Sequence, residues 1–323
     1  MSKKSRKNNK KNLVFRIAGI TLLLVLVIGV AWLGKQKLDQ KQRSEANAQL
    51  QNLYNNPVKT QNHAGTESPD SQEESKQSSA LRPITAMTAA AAPAAPSATA
   101  APTEIESALV FQSDFDELYA VNPDVVGWID VGNYMSMPVV YRDNVFYLDH
   151  DYYGNPDNAG TLFINEANTI WPDGETPADQ NLLFHGHNMR DGSIFGDLDE
   201  YRKLEYMQQN VIVYFRTIYD YDPKPYVIFS AFDMSATPGE AGYFDVGYIN
   251  FDDDAEFSDY TGTVLRRSFY NMPYGVERND HMLTLFTCSY SNENGRFVLF
   301  CRELHEDETV DSVLEAASLI TKK

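Results

Sequence analysis

The chain has 323 residues, a formal net charge of -18 at pH 7 and two cysteines. A chain of this length can bury a sizeable core without cross-links, so small disulfide-stapled scaffolds are excluded, and the acidic balance argues against a nucleic-acid-binding protein. The composition includes 17 Phe, 19 Tyr and 3 Trp, yet only Phe15, Trp32 and Tyr54 precede residue 107. This distribution predicts one folded region in the C-terminal part of the chain.

The N-terminal segment combines positive charge with an apolar run. Residues 1–43 contain eleven Lys or Arg and a single acid, Asp39. Residues 17–34 carry no charge, and as a helix they would extend about 27 Å, close to the thickness of the hydrocarbon core of a bilayer. We therefore predict a basic cytoplasmic N-terminus at residues 1–12 and a transmembrane signal anchor at residues 13–34.

The charges that flank the apolar run predict its orientation. Seven basic residues precede the run and four follow it, which favours a cytoplasmic N-terminus and an extracellular C-terminal region. A cleavable signal peptide is the alternative, but the run is longer than a usual signal-peptide core and no small-x-small cleavage site follows it closely. We expect a single-pass protein that contacts the lipid bilayer through residues 13–34.

Residues 35–106 have the composition of a flexible spacer. Gln, Asn, Ser and charged residues dominate up to residue 79, and Ala, Pro, Ser and Thr dominate residues 80–103. Such segments bury too little apolar surface to offset chain entropy. Helix could continue over residues 36–50 as a stalk. We expect the spacer to hold a folded domain away from the bilayer.

Residues 107–307 have the pattern of a packed domain, and residues 308–323 that of a C-terminal helical tail. Aromatic and aliphatic residues from Phe111 to Tyr119 recur at helical spacing, and Asn122-Pro123 ends that helix. Short aromatic and branched runs bounded by Gly, Pro, Asn or Asp predict strands. These strands cover residues 138–141, 161–165, 181–187, 211–215, 226–232, 282–288 and 296–304.

Further helical patterns interrupt and follow the predicted strands, at residues 197–209, 254–270 and 310–320. The fold class is therefore mostly β with helices: a barrel or sandwich of seven to eight strands with helical insertions and an N-terminal helix, preceded by a single transmembrane helix.

Cys288 ends an apolar strand and precedes a polar turn, where a thiol can meet a substrate. The alternatives are an inert buried thiol and a disulfide with Cys301. In a hairpin of the last two strands, Cys288 lies opposite Arg296 or its neighbour, and Cys301 lies near Thr284. The cysteines are then about 13 Å apart, beyond the limit of about 7 Å for a disulfide. We interpret Cys288 as a free external thiol and Cys301 as an apolar filler.

A cation and an imidazole complete a candidate acyl-transfer site. Arg296 would neighbour Cys288 and stabilise an oxyanion or a thiolate, although a surface arginine is the alternative. Of the six histidines, His187 is the best placed, because it ends an apolar strand before a polar, Gly-bearing loop. His185 completes an H-x-H pair that a metal could use, but Asp191 comes too late for the H-x-H-x-D-H pattern.

We predict neither a metal nor another cofactor. The acidic run at residues 252–254 could suggest calcium, but acids before a predicted helix are typical of helix capping.

The candidate residues lie in motifs that resemble those of the sortases, membrane-anchored cysteine transpeptidases of Gram-positive surfaces. These motifs are TLFTC at residues 284–288, Arg296 eight residues later, and GHN at residues 186–188. The resemblance to class B covers most of residues 107–304 through NPDVVGWIDV, MPVVYRDNVFYLDHDYYG, GTLFIN and HGHNMRDGSIFGDL. It implies a sortase-type closed β-barrel in which His187, Cys288 and Arg296 are the catalytic residues.

The resemblance also implies the reaction and the partners. Cleavage of a C-terminal sorting motif after Thr would give a thioacyl enzyme, which an amine of the cell-wall precursor, or alternatively a pilin Lys, would resolve. Partners would be surface proteins that carry sorting motifs, and the enzyme would sit in the cell membrane with its catalytic domain outside.

Three further positions match the family's substrate-binding residues, namely Asn144, Leu148 and Thr287. His185 stands where Tyr is common, and Phe286 is bulky where a small residue is frequent, so both would narrow the substrate groove. A non-catalytic peptide-binding barrel and a cysteine hydrolase are the alternatives of other classes.

Overall fold

The computed structural model describes residues 3–57, 109–133, 135–171, 179–288 and 295–323, with residues 3–20 and Cys288 described by their backbone alone. Residues 1–58 and 110–323 belong to one compact unit. Most of the predicted spacer, residues 58–106, lies outside the described residues, and so does the turn that follows Cys288.

A closed barrel forms the body of the described domain. The described strands are β1 (Val125–Val131), β2 (Met135–Val140), β3 (Phe163–Ile164), β4 (Asn181–His185), β5 (Ile212–Thr217), β6 (Lys224–Ser235), β7 (Tyr270–Asn271), β8 (Met282–Cys288), β9 (Gly295–Glu303) and β10 (Thr321–Lys322). The barrel order is β1-β2-β3-β4-β8-β9-β6-β5, and β1 pairs with β5 to close it. β7 and β10 form a separate two-stranded sheet. The predicted closed barrel of seven to eight strands is confirmed.

Strand β1 is the barrel strand that the sequence patterns do not predict. All of its residues except Asp130 are buried, so the run lacks the alternation that marks a half-exposed strand. Gly127 lies within it because a Cβ atom there would come within 2.4 Å of the Arg216 carbonyl oxygen on β5. The close approach of the two backbones therefore requires glycine.

Most helices lie where the periodicity predicts them. The described helices are α1 (Lys3–Asn55), α2 (Asp116–Val121), α3 (Leu204–Gln209), α4 (Asp254–Arg267) and α5 (Val310–Ala317). Short 3-10 turns at Ser113–Phe115 and Gly196–Arg202 lead into α2 and α3. Asp253 caps α4 by accepting hydrogen bonds from the backbone of Ala255 and Glu256. The capping interpretation of residues 252–254 is therefore confirmed.

The barrel shares its main hydrophobic core with helices α3, α4 and α5, whereas α1 and α2 pack in a second cluster around Trp128. Phe229 and Phe232 of β6 pack with Phe297 and Phe300 of β9, and all four are at most 1 % exposed. Cys301 lies in the same core, is fully buried and carries a free thiol. Its interpretation as an apolar filler is confirmed.

Helix α1 contains the apolar segment. Among the described residues, Thr21–Asn55 is the stretch long and apolar enough to cross a membrane by length and composition, with a mean hydropathy of 1.6 over its best window and no buried residue in that window. A signal sequence near the N-terminus would have the same properties.

The last turns of α1 pack against the barrel. Leu50 is buried, Tyr54 stacks on Trp128 of β1, and the Gln51 side chain donates to the Ser136 carbonyl oxygen at 2.9 Å. The helix that could continue over residues 36–50 extends to Asn55. Apolar residues three and four positions apart, Leu50, Leu53 and Tyr54, provide the contact face.

Candidate active site

The residues that the sequence predicts as catalytic lie at the ends of three neighbouring strands, β4, β8 and β9. β4 and β8 run parallel, with His185 level with Phe286. Two residues further along each chain are His187 and Cys288, and adjacent strands lie about 5 Å apart. β8 and β9 run antiparallel, with Cys288 directly opposite Arg296. The backbone thus brings positions 187, 288 and 296 to one edge of the barrel.

The strand register also separates the two cysteines. Cys301 lies opposite Leu283, five residues before Cys288 on β8. At about 3.3 Å per residue this offset is about 17 Å, too long for a disulfide. The expected register was one residue off, at Thr284, and the conclusion is unchanged. Burial raises the pKa of the Cys301 thiol.

His187 lies just beyond β4, half-buried, with its ring held by the neighbouring loop. Its Nε2 atom is 2.8 Å from the carbonyl oxygen of Leu148. Because a carbonyl oxygen only accepts, Nε2 carries the proton in this arrangement. The contact fixes the orientation of the imidazole at the edge where β8 ends.

The loop after His187 returns immediately to the core. The backbone N–H of Phe195 donates to the His187 carbonyl oxygen at 3.0 Å, and Asn188 pairs with Ile194 across the loop. Phe195 is fully buried, and a Cβ atom at Gly186 would lie 2.6 Å from its ring. The glycine of the GHN motif therefore makes room for the aromatic ring that anchors the loop.

His185 differs from His187 in its surroundings. Its ring stacks on Phe163 at 4.9 Å and meets Phe286 edge-on at 4.3 Å, while Asn165 Nδ2 lies 2.9 Å from its Nε2. Burial, followed by the positive charge of Arg296, lowers the pKa of His185 to about 4. His185 is therefore neutral near pH 7, and its Nε2 accepts from the Asn165 amide.

Arg296 is the second residue of β9 and is half-buried. Its Nη1 donates to the carbonyl oxygen of Gly295 at 3.0 Å. Its positive charge contributes to lowering the pKa of His185 on the neighbouring strand β4. A fixed positive charge is thus available beside the backbone of Cys288.

The turn between β2 and β3 carries two of the predicted substrate-binding residues. Asn144 holds the segment after β3, because its Oδ1 accepts from the Glu166 N–H at 3.0 Å and its Nδ2 donates to Glu166 Oε1 at 3.1 Å. Leu148 is 41 % exposed, and its carbonyl oxygen contacts His187. Both residues therefore border the strand-end edge.

Thr287, the third predicted substrate-binding residue, has a different environment. It is 2 % exposed and lies opposite Phe297. Its Oγ1 has no hydrogen-bond partner among the described residues. The structure thus places Thr287 beneath the surface next to Cys288.

Two residues that the sequence patterns do not single out connect this region. Asn165 bonds His185 and also lies 3.4 Å from Asn144 Nδ2, while Glu166 fixes the Asn144 amide. Asn165 is the last residue of the GTLFIN motif and Glu166 follows it directly, which is the sequence signal that could have identified them.

A separate cleft of about 900 Å³ lies between α1 and the barrel. Arg43 of α1 and the segments around Asp157 and Asp191 line it, whereas His187 and Arg296 are not among the described residues that do. The cleft is therefore distinct from the strand-end edge.

Comparisons with known proteins agree with the fold. No family model matches the chain. Sortase B of Listeria monocytogenes is 28 % identical over 207 residues, which cover 62 % of this chain and 77 % of that protein. Sortase B of Staphylococcus aureus is 26 % identical over 194 residues, covering 58 % and 73 % of the two chains. The X-ray structure of Clostridium perfringens sortase B aligns with a TM-score of 0.52 and 26 % identity over 59 % of this chain and 99 % of that one. The predicted resemblance is confirmed in sequence and in fold.

Proposed function

We propose that this relative of the class B sortases is a membrane-anchored cysteine transpeptidase that attaches surface proteins to the cell wall. The observation that carries the proposal is the strand register, in which His185 is level with Phe286 and Cys288 is opposite Arg296. A nucleophile, a general acid–base group and a fixed cation at one site are the components that acyl transfer needs.

The proposed reaction has two steps on Cys288. First, the Cys288 thiolate attacks the carbonyl carbon of the Thr in the sorting motif, a C–S bond forms, and the C–N bond breaks as the protonated His187 gives a proton to the leaving amine. Second, an acceptor amine attacks the thioester, His187 takes its proton, a new C–N bond forms and the sulfur is released. Arg296 donates hydrogen bonds to the oxyanion that develops in each step.

We propose that Asn144 and Leu148 contact the sorting peptide. The exposure of Leu148 and its hydrogen bond to His187 support this role. For Thr287, whose side chain is buried, we propose a role through its position beside Cys288 and not as a wall of the groove. Phe286 and His185, which contact each other, would narrow that groove.

The proposed anchor is the apolar part of α1, in a single-pass arrangement with the N-terminus in the cytoplasm. The excess of basic residues before the apolar run supports this orientation. Because α1 is continuous and rises about 1.5 Å per residue, Arg43 lies about 14 Å beyond Gly34. We therefore propose that the barrel is held close to the bilayer, and not at the end of a long spacer.

Acyl-enzyme trapping tests the reaction. The full chain in detergent micelles is incubated with a library of five-residue sorting motifs, and intact mass reports any adduct. We expect a thioacyl adduct that is lost in Cys288→Ala, while Cys301→Ala, a matched cysteine variant, retains it. An unchanged adduct in Cys288→Ala would contradict the proposal, and peptide binding without an adduct would support the non-catalytic barrel instead.

Product analysis then identifies the acceptor. The acyl enzyme is allowed to react in water alone, with a peptide that carries a cell-wall-type amine, and with a peptide that carries a pilin-type Lys, and the products are compared. We expect the wall-type amine to capture most of the acyl group. Release to water at the same rate with and without amine would identify a hydrolase.

A further inference from the structure

Arg43 of α1 connects the helix to two loops of the barrel domain. Its Nη1 donates to Asp157 Oδ1 at 3.3 Å, and its Nη2 makes a short ion pair with Asp191 Oδ2. The three side chains are only 16–21 % exposed. Gln40, one turn earlier on α1, donates to the Asp191 carbonyl oxygen at 3.4 Å. This contact therefore differs from a solvent-exposed ion pair, which contributes little.

The carboxylate of Asp191 holds the tip of the loop that follows His187. It accepts hydrogen bonds from the Ser193 backbone at 3.1 Å and from the Ser193 hydroxyl at 2.6 Å. Although burial opposes ionisation, the bonds from Ser193 and Arg43 lower the pKa of Asp191. The carboxylate is thus charged wherever Arg43 can pair with it.

The same loop contains a strained residue that needs support. Ile194 has a φ of 54°, a left-handed backbone conformation that is unfavourable for an L-residue. A branched side chain makes this conformation rarer still. Such strain persists only where the surroundings fix the chain. The base of the loop is fixed by Phe195 and His187, and its tip by Arg43.

Asp157 belongs to the other loop that touches His187. Its backbone N–H donates to the Asp149 carbonyl oxygen at 2.9 Å, directly after Leu148. The His187–Leu148 hydrogen bond therefore joins the same two loops that Arg43 joins through Asp191 and Asp157. One contact lies at the candidate site and the other at α1.

We propose that Arg43 is a positioning residue, which keeps the two loops in register so that the His187 imidazole stays on the Leu148 carbonyl oxygen. The inference rests on the proposed transpeptidase function. A small misplacement of a catalytic group can cost up to about 100-fold in rate. Arg43 acts on turnover without contacting the peptide, so it affects kcat and leaves KM nearly unchanged.

Kinetics of the full chain in micelles test the role. We expect Arg43→Gln to lower kcat about ten-fold while KM for the peptide stays within about two-fold. Asp191→Asn, which keeps the acceptor for Ser193, should lower kcat similarly. The double variant Arg43→Gln/Asp191→Asn should have a kcat no lower than that of either single variant. Arg43→Lys keeps the positive charge and should therefore retain more of kcat than Arg43→Gln. It should not reach the parent value, because one ammonium cannot engage two carboxylates as a guanidinium does. Lys41→Ala, on the exposed side of α1, should match the parent chain.

A stability control separates positioning from simple loss of helix packing. Leu50→Ala removes a buried contact of α1 two turns beyond Arg43 and leaves the ion pairs of Arg43 in place. At matched loss of Tm, kcat should fall in Arg43→Gln and not in Leu50→Ala. An equal fall in both, or additive effects in the double variant, would overturn the inference.

Hydrogen exchange distinguishes failure of this inference from failure of the proposed function. We expect the Gly192 and Phe195 amides to exchange at least about ten-fold faster in Arg43→Gln than in Lys41→Ala. A parent chain that forms no acyl enzyme would overturn the proposed function, whereas unchanged exchange in Arg43→Gln would overturn the role of Arg43.

Discussion

Tyr54 at the end of α1 stacks on Trp128 of β1, with ring centroids 4.3 Å apart and 4° between the ring planes. Phe115 approaches the same tyrosine at 5.5 Å, and the Arg216 guanidinium lies 5.9 Å from its ring centroid. Trp128 is 1 % exposed. Helix α1 therefore covers an aromatic part of the barrel that would otherwise face solvent.

Removal of the Tyr54 ring should destabilise the domain. We expect Tyr54→Ala to lower the free energy of unfolding by about 2 kcal/mol, since it removes a half-buried ring and its stacking contact with Trp128. Tyr54→Phe should cost less than about 1 kcal/mol, because the stacking remains. Denaturant unfolding followed by tryptophan fluorescence measures both. Tyr221→Ala, at a residue 80 % exposed, is the control, and equal losses in the two alanine variants would show that the contact contributes nothing.

The sequence could not show this contact for a physical reason. Periodicity identifies a buried helix face from many apolar residues in register. In residues 35–55 the large apolar residues on the contact face are few, namely Leu50, Leu53 and Tyr54, and half-buried polar residues such as Arg43 and Gln51 share that face. The polar composition of this segment is therefore typical of a spacer, although the segment forms a helix that packs on the barrel. The structure supplies the partner surface, which lies more than 50 residues further along the chain.

Gly186 provides a test of the loop that follows His187. We expect Gly186→Ala to lower turnover by at least about ten-fold and stability by about 1–3 kcal/mol, because its Cβ atom would lie 2.6 Å from the Phe195 ring. Steady-state kinetics and thermal unfolding measure the two effects. Gly275→Ala is the matched control, since nothing lies within 4 Å of its Cβ position.

A second substitution at Phe195 tests whether the overlap with its ring causes the loss of turnover. Gly186→Ala combined with Phe195→Leu should recover part of the turnover, since a smaller side chain relieves the overlap. Full activity in Gly186→Ala alone would mean that the ring moves aside without displacing His187.

The hairpin of β8 and β9 could be predicted closely, whereas the pairing of β4 with β8 could not. Adjacent strands joined by a short turn have few possible registers, so Cys288 was expected opposite Arg296 or its neighbour, and it lies opposite Arg296. β4 and β8 are separated by nearly 100 residues, and periodicity carries no information about such pairing. For that reason the residue patterns alone did not bring His187 to Cys288, and only the family resemblance did.

Thiol labelling should distinguish the two cysteines. We expect the folded chain to react with one equivalent of a maleimide at Cys288 and the unfolded chain with two. Cys301 is fully buried in the core, and burial raises the pKa of its thiol, so little reactive thiolate forms there. Mass spectrometry counts the adducts. Cys288→Ala should give none while folded, and rapid labelling of Cys301 in that variant would contradict the burial of β9.

His185 should make stability depend on pH in a defined window. Its pKa is lowered to about 4 in the folded chain, against about 6.5 for an unperturbed histidine. Between these values the unfolded chain binds more protons at this position than the folded chain. The free energy of unfolding therefore falls as pH is lowered from about 6.5 to about 4, by about 3 kcal/mol from this residue.

His185→Phe isolates that contribution, because it keeps an aromatic ring on Phe163 and removes the titrating group. We expect the variant to lose less stability than the parent chain over the same pH window, with the two curves parallel above about pH 7. Denaturant unfolding at half-unit pH steps measures the difference, and NMR titration of the His185 ring gives its pKa directly. Identical pH dependence in both proteins would mean that the buried imidazole accepts a proton without cost, contrary to its position between two aromatic rings and Arg296.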